Sequence, residues 1–347
     1  MKLLIITQKI NKKDQVLGFF HAWIKEFSKH FESIIGICLE KGEYDLPPNV
    51  KVLSLGKEQG ISRVKYLFNF YKYIWEERNN YDVVFVHMNP IYVVMAGLLW
   101  KMLSKPIFLW YTHKSVDSKL KIAEVLVSKI FSASKESFRL PSNKLEVFGH
   151  GIDTDFFKPI FDKQNEYYII LSVGRVSKTK NQLMMVEAID SLVKDYPNLK
   201  LIIVGGPITE DDKIYKNQIT KRVKELKLDN FVGFTGAIPQ EEIINFYQNS
   251  DLFINLSSTG SLDKAVLEAM SCGSNILTSN EAFKNILPKE CLTTNDQKQI
   301  IDKIRLLIDK KPNLNLREYV VANHRLDILV SKISTEIKKH EHIHSSK

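Results

Sequence analysis

Two segments of the chain combine residue types that could hold an anion. The first, GRVSKTKN, follows the apolar run YYIILSV. In it Gly174 permits a tight turn and close approach of backbone to a ligand, Arg175 adjoins it, and Lys180 stands just before a helical stretch. A planar guanidinium fork and an ammonium point charge together are what a diphosphate needs. The plain alternative is an exposed turn carrying two solvated cations. The second segment, SSTGSLDKAVLEAMSCGSN, passes from polar residues into a helix starting near Asp263, with Ser261 or Asp263 able to cap it. A free helix N-terminus attracts anions through its unpaired amides and its dipole. Glu268 lies one turn further on, among Ala265, Val266, Leu267, Ala269 and Met270. A carboxylate in so apolar a helix wants hydroxyl donors, and ribose supplies a vicinal pair. The alternative is an ordinary surface ion pair with Lys264 at i, i+4.

The elements that must position these residues alternate between two periodicities. KLLIIT, SIIGICL, KVLSLG, DVVFVHM, PIFLWYTH and KLEVFGHG read as strands. Between them lie helical stretches at FFHAWIKEFSKHF, 62–77, YVVMAGLLWKML and LKIAEVLVSKIF. Strands such as VVFV and IIVG lack polar alternation, as burial on both faces of a parallel sheet requires. The pattern restarts at YYIILSVGR and continues through LIIVGG, NFVGFTG, DLFINLS and SNILTS, with helices at 182–194, 211–227, 240–248, 264–270 and 297–307. Two doubly wound α/β domains follow: residues 1–160 and 161–315, joined through TDFFKPIFDKQNEY. Residues 316–340 read as one amphipathic helix bridging back to the first domain, and 341–347 as a disordered tail. Ligands of open parallel sheets sit beyond the carboxyl ends of the strands, which is where both anion-holding segments fall.

Composition excludes several classes. The chain has 347 residues, 44% apolar and 26% charged, enough for two cores. The longest apolar helix candidate, residues 91–103, is interrupted by Lys101 and is shorter than the roughly 18 to 20 residues of a membrane span. The start, MKLLIITQKINKK, reads as a first strand and not as a secretory signal, so a soluble protein staying in the cytoplasm is expected. Cys38, Cys272 and Cys291 are too scattered for a disulfide framework or zinc site, and no Asp-x-Asp pair at a strand end suggests a metal clamp. Of the net charge of +9, residues 1–160 carry +7 (23 Lys/Arg against 16 Asp/Glu) and the remainder +2 (26 against 24). So basic a first half favours polyanions, such as an anionic membrane surface at the inner membrane face, a phosphate-bearing acceptor or nucleic acid; the alternative is a solvated surface with no specific partner. ISRVKYLFNFYKYIWEE combines cations with aromatics as an interfacial helix would, although such a helix more commonly packs its apolar side on a sheet. No recognised nucleic-acid module accompanies the charge, and no Gly-x-Gly-x-x-Gly follows either first strand, which argues against a nicotinamide enzyme.

The succession VGRVSKTKNQLMMVEAI, LIIVGG, VGFTGAIPQEEIINFYQNSDLFINLS and AVLEAMSCG resembles the donor half of the family-4 retaining glycosyltransferases, of glycosyltransferase group 1 type. The first half resembles them more loosely, through WYTHKS and HGIDTDFFKP. The resemblance implies a GT-B fold, two Rossmann-like domains facing across a cleft, and transfer of a sugar from a nucleotide-diphosphate sugar to a glycan, lipid-linked or other acceptor. It implies that transfer proceeds with retention and without a metal or other cofactor. By the same resemblance Arg175 and Lys180 hold the diphosphate beside Gly174, Glu268 accepts the ribose hydroxyls, and Gly236, Ala237 and Ile238 lie near the base. His113 falls at the family's histidine after a sheet strand and would orient the donor sugar; otherwise it is a buried histidine capping a strand end.

Two departures stand out. The family's glutamate eight positions before Glu268 is here Gly260, and TGSLDK replaces the usual glycine and aromatic positions, so Asp263, or Ser261 with backbone amides, would meet the sugar. The loop QKINKKDQVLG lacks the paired glycines of many relatives, leaving Asp14, Gly18 and His21 as candidate acceptor residues. The missing acid also keeps open a catalytically silent sugar-nucleotide-binding relative acting as a partner subunit.

Overall fold

The computed structural model describes residues 1–160, 166–308 and 310–344. The chain divides into two units, Met1–Gly151 with the segment from His324 onward, and Ile152–Asn323.

The first unit runs β1 (Lys2–Ile10), α1 (Phe19–Phe27), β2 (Ser33–Lys41), β3 (Val50–Ser54), α2 (Arg63–Glu76), β4 (Val83–His87), α3 (Pro90–Met102), β5 (Ile107–Trp110), α4 (Ser118–Leu126), β6 (Lys129–Ser132) and β7 (Leu145–Val147). All neighbouring strands pair parallel, in the order β3-β2-β1-β4-β5-β6-β7. Leu4, Ile6, Val84 and Val86 point to one face, where Phe70, Trp100 and Leu120 of α2, α3 and α4 cover them. Leu3, Ile5, Val83 and Phe85 point to the other, against α1. The helix expected to continue through LKIAEVLVSKIF stops at Leu126, because Val127 is extended and Ile130 and Phe131 are buried as strand β6 between β5 and β7. Within α2 Phe70 and Ile74 pack inward, while Phe68 and Trp75 remain exposed.

The second unit runs β8 (Tyr168–Val173), α5 (Gln182–Leu192), β9 (Leu199–Val204), α6 (Glu210–Glu225), β10 (Val232–Gly236), α7 (Gln240–Asn249), β11 (Leu252–Asn255), α8 (Lys264–Ser271), β12 (Asn275–Thr278), α9 (Gln297–Ile308) and α10 (Leu314–His324). Its parallel sheet has the order β10-β9-β8-β11-β12. Strand order reverses at β8, so the crevice between the β8 and β11 tips is the place where such a sheet binds ligands.

The unit boundary falls at Gly151, earlier than the expected junction at 160/161. Ile152 and Phe157 are already buried in the second core, and the Phe157 carbonyl accepts from Ser271 Oγ (2.5 Å) and Arg317 Nη1 (2.9 Å). Residues 161–165 of the expected linker lie outside the described residues. The single bridging helix expected at 316–340 is two, α10 and then α11 (Leu326–His344), separated at Arg325. Leu329, Val330, Ile333 and Ile337 of α11 complete the first unit's core beside α1, so the chain does return to its first domain. The helix continues through residues 341–344, which were expected to be disordered; 345–347 lie outside the described residues.

Candidate functional site

Beyond β8 the backbone turns through Gly174 at φ 142°, a conformation that disfavours any side chain. Gly205, after β9, has φ 129°, and a Cβ there would stand 2.1 Å from the Gly174 carbonyl oxygen. Backbone hydrogen bonds knit the tips together: Gly174 N to Val204 O (2.9 Å), Val176 N to Gly206 O (3.1 Å) and Gly205 N to Gly236 O (2.8 Å). Three strand ends thus converge without side chains between them, leaving a glycine-lined floor. Gly236 itself has φ 72°, and it leads into Ala237, exposed, and Ile238, half-buried.

The two cations stand on this floor. Arg175 is about half-exposed, and its Nε lies 3.7 Å from Asp212 Oδ2 at the start of α6. That carboxylate is otherwise engaged in a capping box, accepting from the Thr209 amide (3.0 Å) and the Ile208 amide (3.2 Å). Lys180 closes a short 3-10 turn, Lys178–Lys180, and its stem passes over Gly174. Its ammonium pairs with Asp263, the N-cap residue of α8. Asp263 Oδ2 also accepts from Asn255 Nδ2 (3.0 Å), and Asn255 Oδ1 accepts from Thr278 Oγ1 (3.2 Å). Burial alone would raise the Asp263 carboxyl, but the Lys180 charge and hydrogen bonds from Lys180 and Asn255 outweigh it and hold the group below its ordinary value. Backbone adds a further tie, Ser258 N donating to Thr179 O (3.1 Å). Lys180 and the start of α8 therefore meet at the β8/β11 crevice beside Gly174, whereas the Arg175 side chain, half-exposed, turns toward Asp212 of α6 on the β9 side of β8.

Glu268 is buried, not the surface glutamate of the plain alternative, although its Oε1 does pair with Lys264. Its Oε2 accepts from the hydroxyl of Tyr247 (2.8 Å), a fully buried residue of α7. Burial, with Glu268 beside it, raises the Tyr247 hydroxyl well above its usual range. A carboxylate has about four acceptor positions, so these two donors leave capacity for a ligand's hydroxyls. Ser261 is half-buried in the loop before α8, its carbonyl accepting from Asn280 Nδ2 (2.8 Å). Gly260 adopts φ 66°, in the left-handed region.

In the first unit, His113 follows β5 and is exposed, which removes the reading as a buried strand cap. Its Nδ1 accepts from the Ser115 amide (3.1 Å), so the neutral ring carries its proton on Nε2. After β1, Asp14 is used internally: Oδ1 accepts from the Val16 and Leu17 amides (2.9 and 2.8 Å) and Oδ2 pairs with Lys9 (2.8 Å). Gly18 precedes α1 with helical φ and ψ, not a left-handed turn. His21 Nε2 accepts from the Asp45 amide (3.0 Å), and burial lowers its ring below the ordinary histidine value.

Sequence reasoning missed Asn255, Tyr247 and Asp212. A polar residue closing the apolar run LFIN was a usable signal for Asn255. Tyr247 gave none, because only packing brings α7 to α8. An open hollow of about 370 Å³ bordered by Asn275, Glu290 and Lys310 lies at the amino end of β12, opposite the tips that carry the cations. Among the described residues no group of three or more His, Cys, Asp or Glu could hold a metal ion, and the three cysteines are buried and free.

Residues 153–327 match the family of glycosyl transferases group 1. The chain belongs to that family. It is similar to the UDP-Gal:alpha-D-GlcNAc-diphosphoundecaprenol alpha-1,3-galactosyltransferase of Escherichia coli, 24% identical over 314 residues, 79% of each chain. The mannosylfructose-phosphate synthase of Agrobacterium fabrum is 26% identical over 149 residues, 40% of this chain and 33% of that one. The sulfoquinovosyl transferase SQD2 of Arabidopsis thaliana is 22% identical over 240 residues, 63% of this chain and 43% of that one, so the chain spans less than half the length of these last two relatives. The crystal structure of Anabaena HepE with UDP and glucose superposes with a TM-score of 0.78 at 15% identity, covering 97% of this chain and 99% of that one. The fold is that of the GT-B glycosyltransferases, two parallel-sheet Rossmann-like domains.

Proposed function

We propose that this glycosyltransferase moves a sugar from a nucleotide-diphosphate sugar to a glycan, lipid-linked or other hydroxyl-bearing acceptor, with retention and without a metal ion. The observation that carries the reading is the meeting of Lys180 with the N-terminus of α8 at the β8/β11 crevice, with Arg175 next to Gly174 on the same β8 tip. Two cations and a helix end supply the charge that would otherwise fall to a divalent ion as the diphosphate departs. The bond from the sugar's anomeric carbon to the phosphate oxygen breaks, the leaving phosphate takes the acceptor's hydroxyl proton, and the acceptor oxygen bonds the anomeric carbon on the same face.

In this reading Gly174, Arg175 and Lys180 hold the diphosphate, Glu268 holds the ribose, and Gly236 and Ile238 border the base. Ser261 faces the sugar end and His113 orients the sugar. Asp14, Gly18 and His21 serve the acceptor through the loop that Asp14 organises. A thermal-shift screen of nucleoside diphosphates and their sugars tests the reading, since ligand stabilises the native state logarithmically with concentration. One nucleotide series should raise the melting temperature, transfer should persist in EDTA, and the product should keep the donor's anomeric configuration. No stabilisation by any nucleotide, or an inverted product, overturns it.

We also propose peripheral contact with an anionic membrane through the first unit. The helices α2, α3 and α4 form one layer on one sheet face, and their outer side exposes Phe68, Trp75, Leu98, Met102, Ile122 and Val125. Exposed cations Lys65, Lys72, Lys101 and Lys121 lie on the same helices. Among the described residues no helix is long and apolar enough to cross a membrane.

A further inference from the structure

Asp263 holds the place that a ligand's charge would take. Its carboxylate sits at the N-cap of α8 without a full capping hydrogen bond, the nearby Ala265 amide only helping to hold it below its ordinary value. It points instead to Lys180, and Asn255, itself fixed by Thr278, keeps it there. Asp212 makes the contrast: it too lies near a site cation, but its carboxylate is committed to the capping box of α6. The Asp263 carboxylate makes no such box, and its strongest partner is Lys180. What it does in the ligand-free protein is neutralise the lysine and the helix end that together would hold a diphosphate.

We propose that Asp263 is a resident anion of the donor site, occupying Lys180 in place of phosphate and yielding it when nucleotide enters. The proposal rests on the reading that Arg175, Lys180 and α8 bind the donor's diphosphate. Two anions then compete for one ammonium, and a carboxylate left beside an incoming diphosphate repels it across a short, partly desolvated distance. Asp263 thereby holds nucleotide affinity down, which favours release of the nucleoside diphosphate product after transfer. It also keeps Lys180 ordered between turnovers, since an unpaired ammonium here would be drawn out to water. The role differs from a sugar contact, because it acts on nucleotides that carry no sugar.

The test titrates the full chain with uridine, guanosine and adenosine diphosphates by calorimetry, comparing the unaltered protein with Asp263→Asn, Asp263→Ser and Arg175→Ala. Serine keeps an oxygen able to cap α8 while removing the charge, so it stands in if the asparagine variant folds poorly. The expected result is binding of the preferred diphosphate about tenfold to a hundredfold tighter in both Asp263 variants, together with a lower melting temperature in the absence of ligand. Equal or weaker binding in both, with Arg175→Ala still weakening it, overturns the resident-anion role and leaves the diphosphate site standing. If no diphosphate binds any of these proteins, or Arg175→Ala binds as well as the unaltered chain, the site reading falls and this proposal with it.

Discussion

Lys180 is the residue on which the proposed chemistry presses hardest. Its ammonium is the one site cation that already sits at the start of α8, and as the sugar leaves, negative charge grows on the phosphate beside it. Replacing Lys180 with alanine should reduce turnover about a hundredfold to a thousandfold, the scale of losing one preorganised donor to a developing anion. The fall should appear mainly in kcat, because Arg175 and the helix end remain to bind the ground state. Full turnover in that variant, measured by release of nucleoside diphosphate in the presence of acceptor, would remove the assigned role. At this scale the sequence was informative where a residue type and a strand tip coincided: Gly174, Arg175 and Lys180 were legible. It was silent where a side chain is claimed by a neighbour remote in sequence. Nothing in the order of residues tells that Asp263 turns to Lys180, or that Tyr247 reaches Glu268.

Elements were legible wherever burial on both faces of a sheet erased polar alternation, as in β4 and β9. Boundaries were less so. The apolar period of LKIAEVLVSKIF runs on from helix into strand, because Ile130 and Phe131 would be buried in either. The last helix was read as one piece for the same reason: α10 and α11 each have an apolar side, and Arg325 interrupts them without a proline or glycine to mark the place. That interruption matters, since α10 belongs to the second unit and α11 to the first. Leu329, buried in the first unit's core, brings its side chain so close to Gly151 that an added Cβ there would stand 2.6 Å from it. Truncating Leu329 to alanine should therefore cost about 2–5 kcal/mol, the usual range for a fully buried leucine. The loss should be confined to the first unit. Urea unfolding followed by tryptophan fluorescence reads it, because all four tryptophans, Trp23, Trp75, Trp100 and Trp110, lie in that unit. An unchanged midpoint would show that α11 is not needed to complete that core.

Over the whole molecule, charge and exposed apolar surface fall in the same half. Residues 1–160 carry +7 of the net +9, and the outer side of the α2, α3 and α4 layer combines lysines with Phe68, Trp75, Leu98 and Met102 in the open. Either feature alone is common; the proposed contact with a bilayer calls for both, a basic surface for its anionic face and exposed apolar side chains for its boundary. The two contributions can be separated, because salt screens the first and leaves the second. At an ionic strength of about 0.05 M the protein should float with vesicles containing phosphatidylglycerol, and binding should weaken markedly at about 0.5 M, where the screening length is only a few ångströms. A variant with Phe68→Ser and Met102→Ser should bind less at both salt concentrations, since both side chains are exposed and their loss leaves the core intact. Vesicles of neutral lipid should recover little of either protein. If the chain stays out of anionic vesicles even at low salt, the apolar layer serves something other than a membrane, and the basic half is a solvated surface.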